Sequence, residues 1–137
     1  IRINHSMETA LMIVPRFKCI KTVELLLSYG ADPNIQNING QTALMLANMF
    51  SCTDNVIDML LKYGAYVDIV DYGGRSVFNI IELMPYFLFH SVHGHVIKKK
   101  RIKKLLAHMD TDENKRLLSM IKDNNVQKKF LYMFTAL

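Results

Sequence analysis

Three histidines that lie close together in the chain are the residues best suited to hold a metal ion. His90, His93 and His95 could supply three imidazole nitrogens to zinc and leave a fourth position open. No cysteine lies near them, and the adjacent Phe87–Phe89 favours a packed loop. Three imidazoles could equally respond to pH. We therefore predict neither a metal site nor a cofactor.

A basic run is the second candidate for chemistry. Residues 98–104 contain six of the 17 Lys and Arg residues, so the rest of the chain is close to neutral. The favoured interpretation is a solvated helix face, with Ile97, Ile102 and Leu105 turned to the core. Nucleic-acid contact is disfavoured because no aromatic residue interleaves with the run. The remaining alternative is a nuclear import sequence made of Lys98, Lys99, Lys100, Arg101, Lys103 and Lys104.

Catalytic motifs are missing from the sequence. We find no Gly-x-Ser-x-Gly, no phosphate-binding glycine loop, no His-Glu-x-x-His and no justified carboxylate pair. The sequence therefore predicts neither an enzyme nor a small-molecule substrate. No apolar run approaches the roughly 18–20 residues that span a bilayer, so we expect no membrane association. Two cysteines without a secretory signal predict an intracellular protein of the cytoplasm or nucleus, and the start at Ile1 predicts a fragment of a longer protein.

An internal repeat organises the chain. Thr9–Met12 recurs 33 residues later as Thr42–Met45, and Leu26–Ala31 recurs 34 residues later as Leu60–Ala65, with small changes. A third copy opens at Gly74–Phe78. Units of this length are supersecondary modules that bury their apolar faces against one another. Cys19 and Cys52 then lie one repeat apart, about 10 Å, which is beyond disulfide reach.

Each repeat predicts two helices and a turn. Thr42 can cap a short first helix with its hydroxyl. The second helix carries an apolar stripe at three- and four-residue spacing, and Gly30 and Gly64 end it. Asn37–Gly40 then predicts the tip of a hairpin-like finger. Pro15 should end or kink the first helix of the first repeat, because it lacks an amide donor.

These motifs resemble the ankyrin-repeat family. Gly40–Ala47 matches the opening of a repeat, while Leu25–Leu27 and Gly30–Asn34 match its close. The amino-acid sequence of these motifs is also similar to that of ankyrin arrays of giant DNA viruses of protists, such as mimivirus. The resemblance covers residues 1–84 and implies an all-α solenoid of helix–turn–helix units with fingers. We expect repeats at about 1–36, 37–70 and 71–109.

The third repeat and the tail match the pattern less well. We predict a helix from about Val96 to His108 in the degenerate third repeat. Asp110–Glu113 has the spacing of a capping box, and residues 110–137 are expected to form a helical C-terminal cap.

The resemblance implies a non-catalytic module that binds a protein partner through finger tips and first helices. Phe17 and Phe50 either belong to this surface or pack inward. A nuclear regulator imported through residues 98–104, a substrate adaptor for a ubiquitin ligase and a solenoid segment without its own partner are the alternatives. The predicted partner-binding residues are Gln36, Ile38, Asn39, Gln41, Met49, Phe50, Val70, Tyr72 and Arg75.

Overall fold

A computed structural model describes residues 5–17, 19–50, 54–83 and 92–108 of the chain. The chain divides into two compact units, residues 1–81 and 82–137. Every element in the described ranges is a helix. These are α1 (Ala10–Ile13), a 3-10 helix (Val14–Phe17), α2 (Ile20–Ser28), α3 (Ala43–Met49), α4 (Asp54–Lys62), α5 (Val77–Leu83) and α6 (Val92–Ala107).

The first unit is built by stacking equivalent helices. Helix α1 packs on α3 and α2 packs on α4, while the two helices of one repeat also contact each other. The predicted apolar stripes are confirmed, since the inward faces of both second helices are buried, although Ile20 and Leu26 of α2 are only half-buried. Burial of this kind supplies the main favourable term of folding. Core side chains include Leu11, Met12, Val23, Leu27, Leu44, Leu46, Ile57, Leu60, Phe78 and Ile81.

Helix ends follow the sequence signals. Helix α1 stops at Ile13, and Val14–Phe17 continues as a 3-10 helix that contains Pro15, as predicted. The Thr42 hydroxyl accepts the N–H of Met45 at the start of α3. Gly64 ends the second helix of its repeat with a φ of 87°, and Ala65 donates its N–H to the carbonyl of Leu60.

Asn34 joins the turns that follow the two second helices. Its Nδ2 donates to the carbonyl of Gly64 at 2.9 Å, and its Oδ1 accepts the N–H of Tyr66 at 2.8 Å. An amide side chain suits this position because it carries one donor group and one acceptor. Asn34 therefore fixes the distance between consecutive turns.

Replacing Asn34 by Ala should lower the free energy of unfolding by about 1–2 kcal/mol, because two hydrogen bonds between repeats are lost at a partly exposed site. Urea denaturation followed by circular dichroism measures the change. Asn34→Asp is the matched variant, since it keeps the acceptor and loses the donor, and it should fall between wild type and Asn34→Ala. Equal stability of all three proteins would contradict a role for Asn34 in joining the turns.

Helix α6 begins earlier than the sequence predicted. It starts at Val92 rather than near Val96, so Gly94 lies inside the helix. Glycine costs only about 1 kcal/mol in a helix interior, and it therefore marks no boundary by itself. The buried side chains of Ile102 and Leu105 agree with the prediction of an inward apolar face. The predicted cap at 110–137 lies outside the described residues.

Candidate partner-binding surface

The fingers are turns closed by a side chain at their first position. In the second finger, residues 37–41, the Oδ1 of Asn37 accepts the N–H groups of Asn39 and Gln41. In the third finger, residues 71–75, Asp71 Oδ1 accepts the N–H groups of Gly73 and Arg75 in the same way. Asn and Asp form such turns because their short side chains reach the backbone two residues on. The predicted finger is thus present and has a rigid tip.

Neighbouring fingers are hydrogen-bonded to each other. The N–H of Ile38 donates to the carbonyl of Ser6, and the N–H of Tyr72 donates to the carbonyl of Asn39, at 3.1 and 3.0 Å. The Gln36 amide adds a further link, because its Nε2 donates to the carbonyls of Gly40 and Val70. Three consecutive fingers therefore form one continuous edge.

Gly40 lets the third finger approach the second. Its φ is 76°, and a Cβ placed there would lie 2.6 Å from the backbone nitrogen of Tyr72 and 2.7 Å from its ring. No side chain other than hydrogen fits at that distance. Met7 occupies the equivalent position of the first repeat and also has a positive φ, of 55°.

Large apolar side chains are exposed on the fingers and at the ends of the first helices. The exposed fraction is 72% for Phe17, 46% for Phe50 and 74% for Tyr72. The alternative that both phenylalanines pack inward is therefore wrong. We call the following set the finger surface: Arg16, Phe17, Ile38, Asn39, Met49, Phe50, Val70, Tyr72 and Arg75.

Two arginines of the finger surface form ion pairs with buried carboxylates. Arg75 donates from Nε and Nη2 to Asp71 Oδ2, both at 2.9 Å. Arg16 pairs with the buried Glu8. The Arg16 guanidinium also stacks over the Phe50 ring, 4.4 Å from its centroid. Arg16 therefore connects the first repeat to the second across the finger surface.

One of the predicted binding residues, Gln41, serves the interior instead. Gln41 is buried and bonds to Asn37 and to the sulfur of Met49. Gln36 is half-buried, and its amide links the fingers as described above. We correct Gln41 to a residue that positions its finger, whereas a binding role of the partly exposed Gln36 stays a prediction. The four-residue spacing from Asn37 to Gln41, repeated from Asp71 to Arg75, was the signal for these internal pairs.

Sequence analysis missed a group of exposed tyrosines beyond the second helices. Tyr29, Tyr63 and Tyr66 lie at or just after the ends of α2 and α4, and all three are exposed. A groove of about 280 Å³ lies beside Tyr29, between the start of α1 and the turn that follows α2. Its walls are mostly apolar, and it lies apart from the residues of the finger surface.

The basic run does not expose all of its cations. On α6, Lys100 and Lys103 are exposed, Lys104 is half-buried and Arg101 is buried. Arg101 therefore cannot belong to an import sequence that a receptor reaches in this conformation. The side chains of Lys98 and Lys99 lie outside the described residues, so import through the other lysines remains a prediction.

Metal ligands and membrane spans were also sought in the described ranges. There, no three His, Cys, Asp or Glu side chains come together as a metal site would require. His90 and the side chains of His93 and His95 lie outside those ranges, as does Cys52. None of the described helices is both long and apolar enough to cross a bilayer.

Comparison with known proteins identifies the repeat. A family model for ankyrin repeats in three copies matches residues 2–76. The human transient receptor potential cation channel subfamily A member 1 is 32% identical over 105 residues, covering 77% of this chain and 9% of the channel.

Two further relatives also match only in part. A putative ankyrin repeat protein of Acanthamoeba polyphaga mimivirus is 40% identical over 96 residues, covering 56% of this chain and 17% of its own. A fem-1 homologue of Drosophila melanogaster is 30% identical over 97 residues, covering 64% of this chain and 15% of the homologue. The chain therefore spans less than a fifth of each relative.

Proposed function

Because this chain belongs to the ankyrin-repeat family, whose members generally mediate protein–protein interaction, we propose that it is a non-catalytic module that binds a protein partner on its finger surface. The observation that carries this proposal is the exposure of Phe17, Phe50 and Tyr72 on hydrogen-bonded fingers and adjoining helix ends. Aromatic residues and arginine are the types enriched at the centres of protein interfaces.

Rigidity of the fingers favours binding. The turn bonds of Asn37 and Asp71, together with the links between fingers, hold the backbone in place before a partner arrives. Little ordering entropy is then lost on association, and more of the contact energy appears as affinity. The stacking of Arg16 on Phe50 holds one further side-chain pair in position.

Affinity capture from cells that contain the protein tests the proposal. A Phe50→Ser/Tyr72→Ser variant should lose a specific partner by about tenfold or more, because removal of interface aromatics commonly costs 2 kcal/mol or more. Tyr72 is largely exposed and Phe50 about half exposed, so the melting temperature should fall by only a few degrees.

Tyr29→Ser is the matched control. Among the residues that the structure describes, Tyr29 is the most exposed large hydrophobic side chain, at 85%, and it lies outside the finger surface. It should retain the partner that the double variant loses. Partner loss in Tyr29→Ser alone would move the binding site to the second-helix side, and unchanged capture by all three proteins would exclude the finger surface.

The two alternative functions lack a supporting observation. The ubiquitin-ligase adaptor depends on residues 110–137, which lie outside the described residues. The import alternative depends on a run in which Arg101 is buried. Neither is proposed here.

A further inference from the structure

We infer that the partner segment is acidic and apolar, with carboxylates that bind Arg16 and Arg75 on either side of a hydrophobic side chain that contacts Phe50 and Tyr72. This inference rests on the proposed function and adds the chemistry of the partner to it. It comes from the hydrogen-bonding capacity left on the two ion pairs.

The Asp71–Arg75 pair leaves donors, but few acceptors, for a partner. Asp71 is completely buried, and its two oxygens already accept two backbone N–H groups and two guanidinium N–H groups. A carboxylate has about four acceptor positions, so Asp71 is saturated. Arg75 is 49% exposed and uses two of the five N–H donors of a guanidinium. A partner that reaches this pair therefore meets donors.

The Glu8–Arg16 pair repeats this arrangement. Glu8 is buried, whereas the Arg16 side chain is about one-third exposed and lies over the Phe50 ring. A stacked guanidinium presents the donors of its edge, which suit the two oxygens of a carboxylate. Both ends of the finger surface therefore favour the same kind of ligand group.

Exposed carboxylates lie elsewhere on the first unit. Among the described residues, those on α2 and α4 or in the turns after these helices are Glu24, Asp32, Asp58 and Asp68, while the finger surface exposes none. The second-helix side also carries Lys21 and Lys62, so it presents both signs of charge. Within the first unit, an acidic segment is thus repelled least at the finger surface.

The order of groups along the stack defines the ligand further. Arg16 belongs to the first repeat, Phe50 to the second, and Tyr72 with Arg75 to the third. Neighbouring helices pack about 8–10 Å apart, so the two arginines are separated by roughly 20 Å along the stack. An extended chain covers that distance in about six residues. We expect acidic residues about this far apart with an aliphatic or aromatic residue between them.

Selection from a displayed library of random linear peptides on the full chain tests the inference. The selected peptides should be enriched in Asp and Glu beside apolar residues. A variant in which both ion pairs are replaced by uncharged residues then locates the contact. It combines Glu8→Gln/Arg16→Met with Asp71→Asn/Arg75→Gln. These substitutions copy the pairs that the second repeat already has, namely Gln41 with Met49 and Asn37 with Gln41. Each pair loses one positive and one negative charge, so the net charge does not change.

Affinity of the selected peptides should fall by about tenfold to a hundredfold in this variant, as expected for lost charge-assisted hydrogen bonds. Equal binding of acidic peptides to both proteins would overturn the inference, because they would then bind elsewhere. Selection of peptides without acidic residues, whose binding is lost in Phe50→Ser/Tyr72→Ser, would also overturn it while leaving the proposed function intact. Peptides insensitive to both variants, or no selected peptides, would count against both.

Discussion

Gly40→Ala should be one of the most destabilising single substitutions in this protein, lowering the free energy of unfolding by about 2–5 kcal/mol. The positive φ of 76° costs an L-residue roughly 1–2 kcal/mol. The added Cβ would also lie 2.6 Å from the backbone nitrogen of Tyr72. Since backbone cannot rotate away as a side chain can, the third finger must shift, and overpacking of this kind costs a further 1–3 kcal/mol or so. Urea denaturation measures the total.

Gly74→Ala separates the two causes. Gly74 occupies the equivalent position of the third finger with a φ of 75°, but a Cβ there meets no atom within 4 Å. It should therefore show only the conformational cost of about 1–2 kcal/mol. The difference between the two variants measures the close approach of the fingers. If Gly40→Ala proves no worse than Gly74→Ala, the contact with Tyr72 does not constrain the stack.

Positions of the helices and fingers could be predicted because they depend on local signals. The 33-residue recurrence located the helices of the first two repeats, Pro15 ended α1, and Asn37 with Gly40 marked the finger. These features follow from dihedral preferences and from hydrogen bonds between near neighbours in the chain. Stacking then buries the apolar stripes of the first two repeats in the same way.

The roles of individual surface residues could not be predicted to the same extent. The sequence around a polar residue such as Gln41 does not reveal whether its side chain contacts a partner or Asn37. Only the structure shows that Gln41 is buried. Phe50 follows a short helix, where its exposure depends on Arg16 of the preceding repeat. Glu8 precedes α1, whereas Arg16 lies eight residues later in the 3-10 helix that follows α1, so no simple periodicity indicates their pairing.

Asp71→Ala should lower the free energy of unfolding by about 2–4 kcal/mol, the second large effect that we expect. The substitution removes the acceptor of two backbone N–H groups and the buried partner of Arg75. Buried donors left without a partner cost about 1–3 kcal/mol each, although the exposed Gly73 and the half-exposed Arg75 recover part of this through water. The third finger should loosen, and amide hydrogen exchange of Gly73 and Arg75 should accelerate together with the loss of stability.

Asp71→Asn is the control that separates the turn from the ion pair. Asparagine already closes the second finger at the equivalent Asn37, so the two backbone hydrogen bonds should survive. Only the pairing with Arg75 is weakened, for which we expect a loss of about 1 kcal/mol that shrinks as salt is added, because the guanidinium is half-exposed. The larger loss in Asp71→Ala should depend little on salt. If both variants lost the same stability, the ion pair rather than the turn would hold the third finger, and the rigidity assigned to the finger surface would then depend on charge.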